Sequence, residues 1–207
     1  KFIEWDGRGY NPLQEAKWES VDSGLDGLVA LLAGMRAVTK LDISNCRLGS
    51  EALLVLVERL EACRDLTSVR LTDNPFDDGV DKLVGCFQER PQLRTLCGFA
   101  EGTDSITWND SRKGPVDVAL LAAELKARRA LACATSLALD SNSIFGESCV
   151  STGDYRKASK DVFVEACELF FEALPGTQLK TLSLRRTGMG ILSLRKLAAS
   201  LPPSLRE

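Results

Sequence analysis

VTKLDISNCRL (residues 38–48) and LTSVRLTDNPF (residues 66–76) share one pattern, and this pattern decides the predicted fold. Both stretches follow the template L-x-x-L-x-L-x-x-N/C-x-L, with conservative apolar replacements, and they start 28 residues apart. Self-similarity at a fixed spacing is the signature of a repeat protein. The sequence therefore predicts a stack of similar units rather than a single irregular core.

Each unit is predicted to contain a strand, a turn and a helix. Template positions 4 and 6 are two residues apart, so their side chains point to the same side of a strand. Leu71 is therefore expected to face inward, whereas Arg70 and Thr72 face outward. Position 9, which is Asn74 in the second unit, can hydrogen-bond turn backbone that has no ladder partner. Residues 51–60 follow the first turn with apolar residues at helical spacing, and stacked units would share one apolar interior.

This template, with a helix in every unit, resembles the ribonuclease-inhibitor-like subfamily of leucine-rich repeat proteins. The resemblance begins near Leu13 and extends over nearly all of the chain. It implies an α/β horseshoe-shaped solenoid of about six to seven rungs, with a parallel concave sheet and convex helices. It also implies a function in binding other proteins, since that is what the varied members of this family share.

The predicted domain organisation is a short extension followed by one repeat domain. Residues 1–12 fit no unit and are interpreted as an N-terminal extension or cap, and residues 13–207 as the leucine-rich repeat domain. Residues 145–161 are an insertion, because the unit that contains them is 45 residues long instead of 28. The chain begins without Met and stops where a new strand is predicted, so it is interpreted as a segment of a longer or processed protein.

The unit at residues 93–133 is irregular. Its first predicted strand, at 93–98, leads to a second at 106–108 without a helix between them. We expect these two strands to be adjacent rungs of the same sheet. The connecting loop at 98–105 is a place where function can be concentrated, because binding residues are often on loops held by a rigid scaffold.

Composition limits the classes of function. Of the 207 residues, 44% are hydrophobic and 27% are charged, as in a soluble globular chain. The formal net charge of −3 argues against a nucleic-acid binder, which usually has a basic face. The sequence has no run of apolar residues long enough to span a membrane.

Cysteine usage predicts a reducing environment. Seven cysteines are an odd number, and Cys46, Cys63, Cys86 and Cys167 are at predicted core positions. Reduced thiols in the cytoplasm or another reducing intracellular compartment fit this usage better than a disulfide framework. The chain has no His and no C-x-x-C pair, so we expect no metal site.

No catalytic motif is present. Without His the chain cannot form a Ser-His-Asp or Cys-His arrangement, and it has no glycine-rich phosphate-binding loop. The sequence therefore predicts a protein that is not an enzyme and needs no cofactor.

Two surfaces are candidate protein-binding sites. The outward side chains of successive strands form the predicted concave face, which is either an interface or a solvated surface, because it lacks aromatic anchors. The insertion carries aromatic and basic residues and is either a binding loop or a solvated excursion. The concave-face candidates are Asp42, Ser44, Arg70, Thr72, Asn109, Asp140, Ser183 and Arg185, and the insertion candidates are Tyr155, Arg156 and Lys157.

Other notable residues have simpler interpretations. Trp18 and Trp108 occupy inward position 6 and are expected in the core. A basic group near the C-terminal end, formed by residues 185–186 and 195–196, is either a solvated surface or a contact for an acidic partner.

The functional hypothesis is a non-catalytic protein–protein interaction module, acting as a scaffold or accessory subunit of a larger assembly. Its expected partners are other proteins, with no nucleic acid and no membrane-spanning segment. One alternative is an activator of a small GTPase, resembling the Ran GTPase-activating family, although no catalytic motif of that family maps onto this chain. Another is the ligand-sensing module of a multidomain receptor.

Overall fold

The computed structural model describes residues 21–35, 37–60, 62–76, 79–147 and 159–205. These residues form a mixed α/β fold with six α-helices and two small parallel sheets. The helices are α1 (Leu25–Gly34), α2 (Ser50–Leu60), α3 (Val80–Glu89), α4 (Pro115–Ala127), α5 (Glu168–Ala173) and α6 (Ile191–Ser200), and the strands are β1 (Lys40–Asp42), β2 (Ser68–Arg70), β3 (Ser105–Thr107), β4 (Ser136–Ala138) and β5 (Thr181–Ser183).

Several sequence predictions fall outside these residues. The extension at 1–12 and Trp18 are among them, as are three candidate binding residues of the insertion, Tyr155, Arg156 and Lys157.

Strand pairing follows the repeat spacing. In the first sheet, β1 and β2 are parallel with Leu41 opposite Val69, so the 28-residue spacing is also the pairing register. In the second sheet, Leu137 of β4 lies opposite Ile106 of β3 on one side and Leu182 of β5 on the other. Equivalent template positions therefore lie side by side in both sheets, across the 45-residue unit as well as the regular ones.

The prediction that strands 93–98 and 106–108 are neighbours in one sheet is wrong. Thr95 and Cys97 bridge to β2, whereas β3 pairs with β4 in the second sheet. The reason is that a carboxylate of α4, and not a neighbouring strand, pairs with the backbone of this segment. Glu124 of α4 accepts hydrogen bonds from the backbone N–H groups of Leu96 and Cys97, at 2.6 Å each.

The two sheets have separate apolar cores that meet at one place. The first core packs α1, α2 and α3 against the first sheet, and the second packs α4 and α5 against the second sheet. Phe99, Trp108 and Leu169 are half-buried and pack against both cores. The rings of Phe99 and Trp108 are stacked with centroids 5.6 Å apart. Trp108, which was expected in the core, is thus half-buried between the two cores, and the loop at 98–105 contributes Phe99 to the same contact.

Two helices are capped by carboxylates located 27 to 32 residues earlier in the chain. Asp22 accepts the N–H of Gly49 at 2.7 Å before α2, and Asp161 accepts the N–H of Gly190 at 2.9 Å before α6. A Cβ atom at Gly49 would lie 2.6 Å from an Asp22 oxygen, so the close approach requires glycine. Burial opposes ionisation of Asp161, but hydrogen bonds from the Ser193 hydroxyl and from backbone N–H groups lower its pKa to about 2.

The helical segment that follows the insertion is only partly α-helix. Only Glu168–Ala173 is α-helical, with 3₁₀ turns at Glu165–Cys167 and Leu174–Gly176. Pro175 has no N–H and ends the α-helix, as its position predicts. None of the described helices has the length and apolar content needed to cross a membrane.

No disulfide joins any of the six cysteines in the described ranges. Cys63 and Cys167 are buried, and burial raises the pKa of Cys167 to about 12. Cys46 is exposed, so its assignment to a core position is wrong. Its turn directs the thiol toward the carbonyl of Ser44, 3.4 Å away, instead of toward the interior.

Candidate functional site

The first group of predicted binding residues lies on the outward face of the first sheet. Asp42 and Arg70 are exposed and Ser44 is half-buried. Asp42 Oδ1 accepts hydrogen bonds from the hydroxyl of Ser44 at 2.7 Å and from its N–H at 3.0 Å, and Arg70 Nη1 is 3.6 Å from Asp42 Oδ2. These bonds from Ser44, with a smaller contribution from Arg70, lower the pKa of Asp42. The carboxylate is therefore charged and held in one orientation.

The side chain of Arg70 crosses the strand beside it. Gly98 has a φ of +79°, and a Cβ atom there would lie 3.1 Å from the Cβ and Cδ atoms of Arg70. Glycine at this position allows the arginine to lie over the start of the loop at 98–105. That loop, predicted from sequence to be a functional place, thus adjoins the first group.

The second group lies on the outward face of the second sheet. Asp140 Oδ1 accepts hydrogen bonds from the Ser183 hydroxyl at 2.7 Å and from the Arg185 N–H at 2.8 Å. Asn109 Oδ1 accepts the N–H of Asp140 at 2.9 Å. Asn109 and Arg185 are exposed, whereas Asp140 and Ser183 are half-buried. Polar side chains on three successive rungs therefore hold one another in place and leave a guanidinium group at the surface.

Thr72 does not belong to this face, so its predicted place on the solvent side is wrong. Its exposed fraction is only 1%, and Leu71 beside it is fully buried. Alternation between inward and outward side chains applies only within a strand, and β2 ends at Arg70. Because the chain is already turning at Thr72, two consecutive side chains point into the core.

The buried hydroxyl of Thr72 has no hydrogen-bond partner among the described atoms. Replacing it with a methyl group in Thr72→Val should leave the free energy of unfolding unchanged or raise it by up to about 1 kcal/mol, because a buried unpaired hydroxyl is costly. Urea unfolding followed by circular dichroism measures this. A loss of more than about 1 kcal/mol would show that the hydroxyl has a partner that stabilises the fold.

Asparagine at position 9 ties neighbouring turns together, as predicted. Asn74 is buried and its Oδ1 accepts the N–H groups of Cys46 at 3.0 Å and Leu48 at 3.1 Å. Its Nδ2 donates to the carbonyls of Ile43 and Leu71, at 2.9 Å each. Asn142 links the turn at 108–113 to its own turn by equivalent bonds.

A different connection joins the two halves of the molecule. Lys113 forms an ion pair with Asp73, and its Nζ lies 5.2 Å from the centroid of the Trp108 ring. Asp117 accepts the N–H of Asp73 at 2.8 Å and the N–H of Gly114 at 3.1 Å. Burial raises the pKa of Asp117, and these N–H groups lower it only in part. Charged side chains thus replace the asparagine bonds found within each half.

A cleft remains beside this connection because the strand segment at 93–98 is not followed by a turn and helix of its own. It has a volume of about 640 Å³, and we refer to it as the junction cleft. Its walls are residues 73–76 on one side and residues 111–112 and 114–117 on the other, with Asn45 and Arg47 also lining it. No sequence pattern predicted this cleft, and its one signal in the sequence was the lack of a helix between the strands at 93–98 and 106–108.

The described residues show no arrangement typical of a metal centre. No group of three or more Cys, Asp or Glu side chains in these ranges is placed to hold a metal ion. The outward faces of the two sheets present carboxylate, hydroxyl, amide and guanidinium groups in fixed positions.

No protein-family model matches the chain, and no curated protein matches it. Among solved structures, the tropomodulin C-terminal domain of Caenorhabditis elegans is similar over 86% of this chain and 90% of that chain. The sequence identity is 13% and the TM-score is 0.39. At this TM-score the similarity carries no argument about the function of the chain.

Proposed function

We propose that this chain is a non-catalytic protein–protein interaction module, serving as a scaffold or accessory subunit of a larger assembly. In this proposal the stacked units form a leucine-rich-repeat solenoid of the ribonuclease-inhibitor-like type. The parallel pairing of equivalent template positions supports the solenoid, as do the turn-linking bonds of Asn74 and Asn142.

The observation that carries the functional proposal is the outward face of the two sheets. Its polar side chains are accessible and are already fixed by mutual hydrogen bonds, as in Asp140 with Ser183 and in Asp42 with Ser44. Side chains that are ordered before binding lose little conformational entropy when a partner docks. Exposed charges such as Arg70 and Arg185 would then select a partner by electrostatic complementarity.

Charge reversal on this face tests the proposal. The double variant Arg70→Glu/Arg185→Glu should reduce recovery of a specific partner by at least about tenfold, because like charges across an interface cost several kcal/mol. The matched control is Arg59→Glu/Arg195→Glu, which makes the same charge change at exposed positions of α2 and α6. Affinity capture with quantitative mass spectrometry compares the three proteins.

The comparison separates the outward face from the rest of the surface. Proteins retained by the control variant but lost from the strand-face variant would support the proposal. The same proteins captured at equal levels by both variants, or no specific protein captured by any of them, would contradict it.

A further inference from the structure

The junction cleft is a product of the irregular third unit. At two other junctions an asparagine side chain joins successive turns: Asn74 joins the turn at 43–48 to its own turn, and Asn142 does the same for the turn at 108–113. The turn at 73–76 is joined to the segment at 108–117 by Asp73, Lys113 and Asp117. The space of about 640 Å³ left beside them is within the range of roughly 300–1,000 Å³ typical of ligand sites.

The lining of the cleft combines apolar walls with positive charge. Pro75 on one wall and Pro115 and Val116 on the other supply apolar surface. The acidic side chains at the cleft already have partners within the protein. Asp73 is paired with Lys113, and both oxygens of Asp117 accept backbone N–H groups. An incoming group therefore meets carboxylates that are already neutralised or hydrogen-bonded.

Arg112 is an accessible positive charge at the cleft. It is exposed, and no described residue forms an ion pair or a hydrogen bond with its guanidinium group. Its φ of 55° is in the left-handed region, an unfavourable conformation for a side chain other than glycine or asparagine. Arg47, which also lines the cleft, has the same conformation with φ of 57°. Two turns thus place arginines at the edge of one cleft with apolar walls.

We propose that the junction cleft binds a short extended segment of a partner protein in which apolar and acidic residues alternate. An apolar side chain of this segment lies between Pro75 and Val116, and a carboxylate pairs with the guanidinium group of Arg112. Charge complementarity selects the acidic segment, because guanidinium groups bind carboxylates through paired, charge-assisted hydrogen bonds. The inference rests on the proposed function in protein binding, but it names a surface separate from the outward faces of the sheets.

Direct binding of synthetic peptides tests the inference. The probes are fluorescein-labelled octapeptides with a central Leu-Glu-Leu-Glu sequence flanked by Gly and Ser, and a matched set with Lys in place of Glu. Fluorescence anisotropy on the whole chain should give at least about tenfold tighter binding of the Glu peptides, as expected for charge-assisted pairing.

Three variants locate the binding. Arg112→Gly removes the guanidinium and suits the left-handed backbone, so it should weaken binding of the Glu peptides at least fivefold without lowering the melting temperature. Pro75→Glu places a repelling charge at an exposed position on the rim and should weaken binding similarly. The matched control is Arg186→Gly, since Arg186 is also exposed, has a φ of 55° and lies outside the cleft. It should bind the Glu peptides like the wild type.

The possible results distinguish this inference from the proposed function. Equal binding of Glu and Lys peptides, no binding of either set, or unchanged binding by Arg112→Gly would overturn the inference. Loss of peptide binding in Arg70→Glu/Arg185→Glu would also overturn it, because the peptide would then occupy the outward face. If partners that depend on the outward face are captured while the cleft variants bind peptides normally, only the cleft assignment fails.

Discussion

Glu124→Ala is expected to lower the free energy of unfolding by about 3–5 kcal/mol. Glu124 is 1% exposed, and its Oε1 accepts hydrogen bonds from the Thr95 hydroxyl at 2.8 Å and from the N–H groups of Leu96 and Cys97. Truncation removes the acceptor of the Thr95 hydroxyl and of the Leu96 N–H, whereas the Cys97 N–H keeps the Thr95 hydroxyl oxygen at 3.2 Å. Each unpaired buried donor costs about 1–3 kcal/mol. Among the described residues, the segment at 95–97 has no second strand on the side of Glu124 that could accept these hydrogen bonds instead.

Urea unfolding followed by circular dichroism measures the effect. The matched control is Glu58→Ala, an exposed glutamate of helix α2, which should change the free energy of unfolding by no more than about 0.5 kcal/mol. A similarly small loss for Glu124→Ala would mean that the strand segment at 95–97 is held by other contacts.

The charge of Glu124 adds a dependence on pH. Burial raises its pKa, even though the hydrogen bonds from Thr95, Cys97 and Leu96 lower it in part. The folded protein therefore keeps this proton at pH values where the unfolded chain, with a pKa near 4.3, has lost it. The stabilising contribution is complete below the unfolded pKa and is lost as pH rises through the raised folded pKa.

Glu124→Gln keeps an oxygen acceptor and removes the titration. Its free energy of unfolding should therefore rise relative to that of the wild type as pH increases from about 4 to 7. Parallel urea titrations across this range measure the difference, and a constant difference would show that Glu124 titrates normally. This comparison isolates the charge from the hydrogen bonds, because both side chains can accept from Leu96 and Cys97.

The parts of the fold that local sequence determines were predictable. Period-two alternation predicted that Leu71 faces inward, and Leu71 is fully buried. The 28-residue spacing became the register of β1 with β2. Asn74 was assigned to turn bonding because its amide offers both donors and acceptors at a point where the ladder ends. In each case the cause lies within one unit or between two adjacent ones.

The break between the sheets was not predictable in this way. It depends on Glu124, which meets Leu96 from 28 residues away, and on Asp117, which meets Asp73 from 44 residues away. Sequence analysis recognised the irregular unit but could not show which side chain would occupy the place of the missing neighbour. Periodicity describes which side of an element is apolar, and it does not indicate a buried carboxylate that replaces a strand.

The candidate site shows the same limit. Asp42, Arg70, Asn109 and Arg185 are at the surface because they alternate with inward residues or follow the strands directly. Thr72 follows the same template but is buried, because β2 has ended and the alternation no longer holds. The junction cleft lies between turns of two distant units, so no local pattern could have identified it.

Leu71→Ala should also lower the free energy of unfolding by about 2–5 kcal/mol, through packing instead of hydrogen bonding. Leu71 is 0% exposed in the core of the first sheet, and its N–H donates to the carbonyl of Leu96 at 2.9 Å. Its side chain thus lies where the first sheet meets the broken third unit. A cavity here cannot be filled easily, because Leu96 is itself held by Glu124.

The same substitution on the surface provides the control. Leu54 of α2 is 43% exposed, so Leu54→Ala should cost less than about 1 kcal/mol. Urea unfolding of both variants in one buffer gives the difference between them. Equal losses would mean that Leu71 does not point into the core, and the inward direction assigned to this part of each unit would then be wrong. If Leu71 and Thr72 both point inward, Leu71→Ala should lower the free energy of unfolding more than Leu54→Ala does. Thr72→Val should change it little.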